Sequence, residues 1–255
     1  MQCSIIIGVK NRLSHFFQTY SSMVTQLGVS YELIIVDFFS SDGIESVCLD
    51  LTNKYSEIMS PYLTQIKYVR LLEDRPYNPR ECKNLGARCS EGDILSFSDV
   101  DVFLGMNYLH KLSSKVAEGR SFVATRSQES MSSSSKRILD YINYGNMIVS
   151  KTDFCDVNGF DESINFYGGD DDDVFHRLKL KGLREINPYD HLEACHFSIL
   201  HGDDLRLNEL EDKERRDPKV RFEDIYGNKD FRKSKCDFLK EGADRKETII
   251  FQRTI

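Results

Sequence analysis

The sequence predicts an α/β fold with a mostly parallel central sheet flanked by helices, and three observations carry that reading. Short β-rich apolar runs recur four times in the first hundred residues, at Ser4–Val9, Tyr31–Asp37, Gln65–Leu71 and Asp93–Ser98. Helix-length segments separate them, as expected of parallel strands joined by right-handed crossovers. The first two runs are nearly continuous in apolar residues, which suits strands buried on both faces.

The elements follow in order. Ser4-Ile5-Ile6-Ile7-Gly8-Val9 is the first strand, and Leu13 to Leu27 has helical patterning. Tyr31–Asp37 ends in Ser40-Ser41-Asp42-Gly43, which is turn and N-cap chemistry before a second helix. Gln65–Leu71 alternates as a third strand, and Asn78-Pro79 starts a helix running to about Ser90. After the fourth strand come a helix at Tyr108–Glu118 and strands at Phe122–Thr125 and Asn146–Val149. Between these last two, the Ser-rich segment 127–135 reads as a loop of the kind that closes over open sheets. Asp203–Lys246 is dense in both charge signs and poor in aliphatics, and beyond it only Ile249-Ile250-Phe251 looks fit to dock on a core. This divides the chain into a domain at 1–204, with halves 1–104 and 105–204, and a charged extension at 205–255. There is no internal repeat.

Composition narrows the function. In 255 residues, 34 Lys and Arg face 41 Asp and Glu, for a formal charge of −7. A net negative chain lacks the broad basic face that nucleic-acid backbones require, so small polar ligands or metals fit better. No apolar run approaches the roughly 20 residues of a membrane span, and the N-terminus lacks a signal-type segment, so the expected compartment is the cytoplasm. Seven cysteines at wide spacings, without a C-x-x-C pair, argue against a disulfide framework and a zinc knuckle.

Four constellations carry chemistry. Asp99-Val100-Asp101 follows a hydrophobic strand directly. Such a pair can share work, one carboxylate coordinating a divalent cation of oxygen preference and the other orienting a ribose or a water. In an acidic protein a D-x-D triplet also serves as solvated surface, but here apolar residues flank it on both sides. Tyr167-Gly168-Gly169 precedes Asp170-Asp171-Asp172-Asp173 and then a helical pattern. Part of that run caps a helix, where carboxylates face free amides and the positive end of the dipole. Capping does not explain the glycines and aromatic before it, which would let a backbone approach a ligand while a ring stacks on it. His201 is a lone imidazole that could complete a carboxylate metal site. Lys10-Asn11-Arg12 lies just past the first strand, with Asp37 at the end of the second; cations at that edge suit a diphosphate, and Asp37 could accept from a nucleobase or ribose.

Taken in this order, these segments resemble nucleotide-sugar glycosyltransferases of GT-A fold, most closely the β-1,4-galactosyltransferase type and bacterial family 2 enzymes. The family's basic R-N-R segment looks like Lys10-Asn11-Arg12, and its Phe-Asn-Arg segment has a partial counterpart in Tyr77-Asn78. Its metal motif F-x-D-V-D is matched by Phe97-Ser98-Asp99-Val100-Asp101. Its acceptor and catalytic motif N-G-F…W-G-G-E-D-D-D looks like Asn158-Gly159-Phe160 followed by Tyr167 to Asp173. His201 falls at the spacing of its metal-binding histidine. Tyr167 stands where the family has Trp, Asp170 where it has Glu, and Pro79 where it has a donor-contacting Arg.

The resemblance covers roughly residues 4–204 and implies an inverting, metal-dependent transfer of a hexose or N-acetylhexosamine, galactose or GalNAc favoured, from a UDP-sugar. Asp171 would be the general base, with Asp170, Tyr167, Gly168 and Gly169 at the acceptor. Val9, Lys10, Arg12, Asp37, Lys83 and Asp99 would meet the donor, and Asp101 and His201 would hold Mn²⁺ or Mg²⁺. The resemblance further implies a saccharide acceptor within surface polysaccharide assembly, with a lipid-linked acceptor and peripheral contact at the inner membrane face as its extension. A sugar nucleotidyltransferase would share the sheet and acidic site but wants a glycine-rich phosphate loop, and Gly8-Val9-Lys10-Asn11-Arg12 has one glycine. A silent accessory subunit is the other alternative.

Overall fold

The four apolar runs become the adjacent parallel strands β1 (Cys3–Val9), β2 (Tyr31–Phe38), β3 (Leu63–Leu71) and β4 (Ile94–Asp99) of a computed structural model. It describes residues 1–54, 58–125, 146–164 and 169–188, with the backbone of strands at 196–198 and 247–254. Helices α1 (Leu13–Val24), α2 (Ile44–Lys54) and α3 (Pro79–Cys89) connect the first four strands. Then follow β5 (Val102–Leu104), α4 (Tyr108–Ala117), β6 (Ser121–Ala124), β7 (Met147–Ser150), α5 (Lys151–Asp156), α6 (Asp170–Leu180), β8 (Arg184–Ile186), β9 (His196–Ser198) and β10 (Glu247–Thr254).

Eight of these strands form one sheet in the order β10-β3-β2-β1-β4-β7-β6-β8, while β5 and β9 pair separately. The order reverses direction between β1 and β4, the switch point at which open α/β sheets bind ligands. One apolar layer packs α1, α2 and α4 on the sheet through Phe16, Met23, Ile44 and Leu109. The other packs α3, α5 and α6 through Leu85, Phe154, Val174 and Phe175. Strands β1 and β2 are buried on both faces, which is why their sequences read as continuous apolar runs.

Helix α1 and strand β10 differ in extent from the sequence reading, and β5, α5, β8 and β9 have no counterpart in it. Helix α1 stops at Val24 rather than Leu27, because the chain turns to bond the segment before α4: the Leu27 amide donates to the Met106 carbonyl, and Gln26 bridges the Gly105 carbonyl and the Leu109 amide. Residues 247–254, of which only Ile249-Ile250-Phe251 looked fit to dock, form a full strand antiparallel to β3 and edge the sheet. The Ser-rich segment 127–135 lies outside the described residues.

Candidate active site

Strand register assembles the edge of the site. Gly8 lies beside Asp99 and Val9 beside Asp37, so two acidic positions flank the end of β1. The turn after β1 is fixed from the next loop. Asn11 takes a left-handed conformation (φ 51°), its amide donates to the Ser40 hydroxyl at 3.0 Å, and its side chain accepts from the Ser41 amide at 2.8 Å. Asp42 caps α1 by accepting from the Leu13 amide at 2.8 Å. Nη1 of Arg12, in that turn, is buried with no hydrogen-bond partner among the described residues. Lys10 donates to Asp74 at 3.1 Å and to the Arg75 carbonyl at 2.7 Å, which ties the turn to the loop after β3. Asp37 is fully buried and accepts from the Ser40 amide and the Tyr68 hydroxyl, both at 2.9 Å, with Arg70 at 3.5 Å. It therefore holds the β2–α2 turn from within. A cavity of about 420 Å³ opens on that side, lined by Ser40, Ser41, Glu45 and Arg70 among others. None of the aspartates of the acidic centre lines it.

The acidic centre is built on α3. Asn78 caps that helix by accepting from the Arg80 amide, with Pro79 in its first turn, an arrangement that suits a proline's fixed φ and missing N–H. Arg80 and Lys83, three residues apart, share one helix face. Nη2 of Arg80 lies 3.0 Å from Asp170, and both side chains are buried. Nζ of Lys83 lies 3.3 Å from Oδ1 of Asp171 and 3.9 Å from Oδ1 of Asp99, with the Phe160 ring 5.1 Å away. One ammonium thus joins the end of β4 to the start of α6. The same helix holds the loop before α6, because Asn84 accepts from the Phe160 amide and donates to Glu162, and Asn78 donates to the Glu162 carbonyl.

The four consecutive aspartates divide their work. Gly169, at φ 80°, turns the chain into α6, a conformation that costs glycine nothing extra. Asp170 faces Arg80. Asp171 faces Lys83. Asp172 is half-buried, and Asp173 pairs with the fully buried Arg177 at 2.7 Å. Arg177 also donates to the Val157 carbonyl, tying α6 to the end of α5. Burial, helped by Asp170 and Asp99 and opposed by Lys83, pushes the Asp171 carboxyl up to about 8. Burial works against the Lys83 charge, but Asp171, Asp99 and Asp170 outweigh it and raise its pKa.

Asp99 is partly exposed and Asp101 buried, two oxygen donors at the strand end of the kind that hard divalent cations take. The described residues hold no cluster of three or more metal-ligating side chains. Strand β9 pairs Ser198 with Val102, next to Asp101. His201, Tyr167 and Gly168 lie outside the described residues. The sequence reading passed over Arg80 and Asn84; their spacing with Lys83 along a helix opening in Asn78-Pro79 was the available signal.

The architecture is that of GT-A glycosyltransferases. The glycosyl transferase family 2 model matches residues 4–160, and the chain belongs to that family. The model described as N-terminal domain of galactosyltransferase matches residues 127–199. The chain is 25% identical to the chondroitin synthase of Pasteurella multocida (strain Pm70) over a 251-residue alignment covering 78% of this chain and 24% of that protein. It thus spans about a quarter of that curated relative's length. Among solved structures, it is similar to the mannosyltransferase PcManGT of Pyrobaculum calidifontis in complex with GDP-Man and Mn²⁺ (16% identity, TM-score 0.59, 73% of this chain and 54% of that one). It is similar also to S. aureus TarS 1–349 in complex with UDP-GlcNAc (17% identity, TM-score 0.58, 80% and 60%). These likenesses establish the fold.

Proposed function

We propose that this chain is an inverting glycosyltransferase that moves a hexose or N-acetylhexosamine, with galactose or GalNAc favoured, from a UDP-sugar to a saccharide acceptor in surface polysaccharide assembly. The observation that carries the reading is the meeting of Asp99, from the D-x-D segment, and Asp171, from the four-aspartate run, on the Lys83 ammonium. Elements more than seventy residues apart in sequence supply a donor-side and an acceptor-side carboxylate to one place. The solved UDP-GlcNAc complex of TarS and the family 2 match support a nucleotide-sugar donor.

In this mechanism the acceptor hydroxyl oxygen attacks the anomeric carbon, the bond from that carbon to the diphosphate oxygen breaks, and UDP leaves with the electron pair. Asp171 takes the hydroxyl proton, and its raised pKa brings it nearer the basicity a general base needs at neutral pH. Asp170 meets the acceptor through the oxygen that Arg80 does not hold, beside Tyr167, Gly168 and Gly169. Val9, Lys10 and Arg12 line the donor edge, and the orphaned Arg12 Nη1 is a donor matched to a phosphate oxygen. Asp37 acts there through the turn it holds. Asp101 and His201 would hold Mn²⁺ or Mg²⁺, with Asp99 at the ribose; such a cation, when bound, neutralises charge on the leaving diphosphate. PcManGT was solved with Mn²⁺, which supports a divalent ion here.

The deciding experiment incubates the protein with a panel of UDP-sugars, a saccharide acceptor and Mn²⁺ and scores UDP release. Turnover with one UDP-hexose or UDP-N-acetylhexosamine is expected. Binding without turnover across the panel would favour an accessory subunit instead.

A further inference from the structure

Resting on Asp171 as the base, the geometry points to Lys83 as a positioning residue that holds the Asp171 carboxylate in place, rather than as a ligand of the donor diphosphate. Its side chain is about 5% exposed and its ammonium is enclosed by Asp171 at 3.3 Å, Asp99 at 3.9 Å and the Phe160 ring at 5.1 Å. An ammonium has three donors and no directional fork, so it can serve two carboxylates and a ring face together, but contacts of this kind leave little reach for an incoming phosphate. The neighbouring aspartates have cations of their own, Asp170 in Arg80 and Asp173 in Arg177. Lys83 is the corresponding partner of Asp171. It also counters the repulsion that Asp99 and Asp171 would exert on each other if the ammonium were absent. The backbone of α3 is locked against the sheet and by the Asn84–Phe160 bonds, so the lysine projects from a fixed platform.

The test compares Lys83→Met, Lys83→Arg, Asp171→Asn and the double variant Lys83→Met/Asp171→Asn, with kcat and KM for the UDP-sugar, UDP affinity by calorimetry, and melting temperature. Lys83→Met is expected to lower kcat about 100-fold, the cost of misplacing a reacting group, while UDP affinity stays within about threefold. The double variant is expected to be about as slow as Asp171→Asn alone, because both changes disable one unit. Lys83→Arg, which keeps the charge, recovers part of kcat. A tenfold loss of UDP affinity with kcat intact would make Lys83 a diphosphate ligand and overturn the assignment, as would full additivity in the double variant. If Lys83→Met fails to fold, the same split in Lys83→Arg decides: lowered kcat with unchanged UDP affinity supports the role, and the reverse overturns it. Full transfer by Asp171→Asn would overturn the base assignment itself, a result separable from a failure confined to Lys83.

Discussion

At the residue scale, Asp171 owes its character to its surroundings. It belongs to a run of four identical side chains, and only its position between Lys83, Asp99 and the buried turn distinguishes it. Asp171→Asn is expected to keep UDP binding and lose transfer by about two to four orders of magnitude, measured as UDP release against a calorimetric binding control. A base works deprotonated, and burial pushes this carboxyl up to about 8. The free enzyme's kcat/KM should therefore climb through the region around pH 8 and fall below it, where an ordinary carboxylate would show a flat profile down to about pH 4. A pH series of kcat/KM checks this.

At the element scale, α3 is the part on which the two halves of the site depend. It presents Arg80 and Lys83 to α6 and β4, and Asn78 and Asn84 to the 160–162 loop. Its close seat on β1 requires Gly86, where a Cβ would come within 2.3 Å of the Ile6 side chain. Gly86→Ala should cost about 1–3 kcal/mol by overpacking and displace Lys83 with the helix, which denaturant melts paired with kcat would show. Arg80→Met leaves Asp170 buried without its cation and should cost about 3–5 kcal/mol, read from the same melts. Much of α3 was legible beforehand: its start in Asn78-Pro79 and its end near Ser90 follow from capping chemistry and helical patterning. Its partners were not, because an ion pair spanning 88 residues leaves no local trace.

At the scale of the whole molecule, the acidic balance takes on a location. Asp99, Asp170 and Asp171 face the cations of α3, Lys83 and Arg80, beside the end of β4, and Asp173 is paired with Arg177. An acidic edge of this kind repels a nucleoside diphosphate unless a cation accompanies it, so chelation should abolish turnover and added Mn²⁺ restore it, with UDP release as the readout. The sheet reaches its outer limit at β10, which covers β3 along Gln65–Leu71. Removing residues 247–255 would open that row of backbone groups to other chains, so the shortened protein should aggregate on concentration, as light scattering would register. Among the described residues no helix is long and apolar enough to cross a membrane.

The sequence by itself determined the first four strands with their parallel sense, the Asn78-Pro79 start of α3 and the two aspartate motifs, because periodicity of burial and turn chemistry are local properties. Its reading of 127–135 and His201 concerns residues outside those described. Tertiary structure alone decided which aspartate faces which cation, that Asp37 is buried under Tyr68 and Arg70, and that a strand from the charged C-terminal region completes the sheet. Those facts depend on register between strands and on packing of α3 against α6, and neither spacing nor composition encodes a distance between residues that meet only after folding.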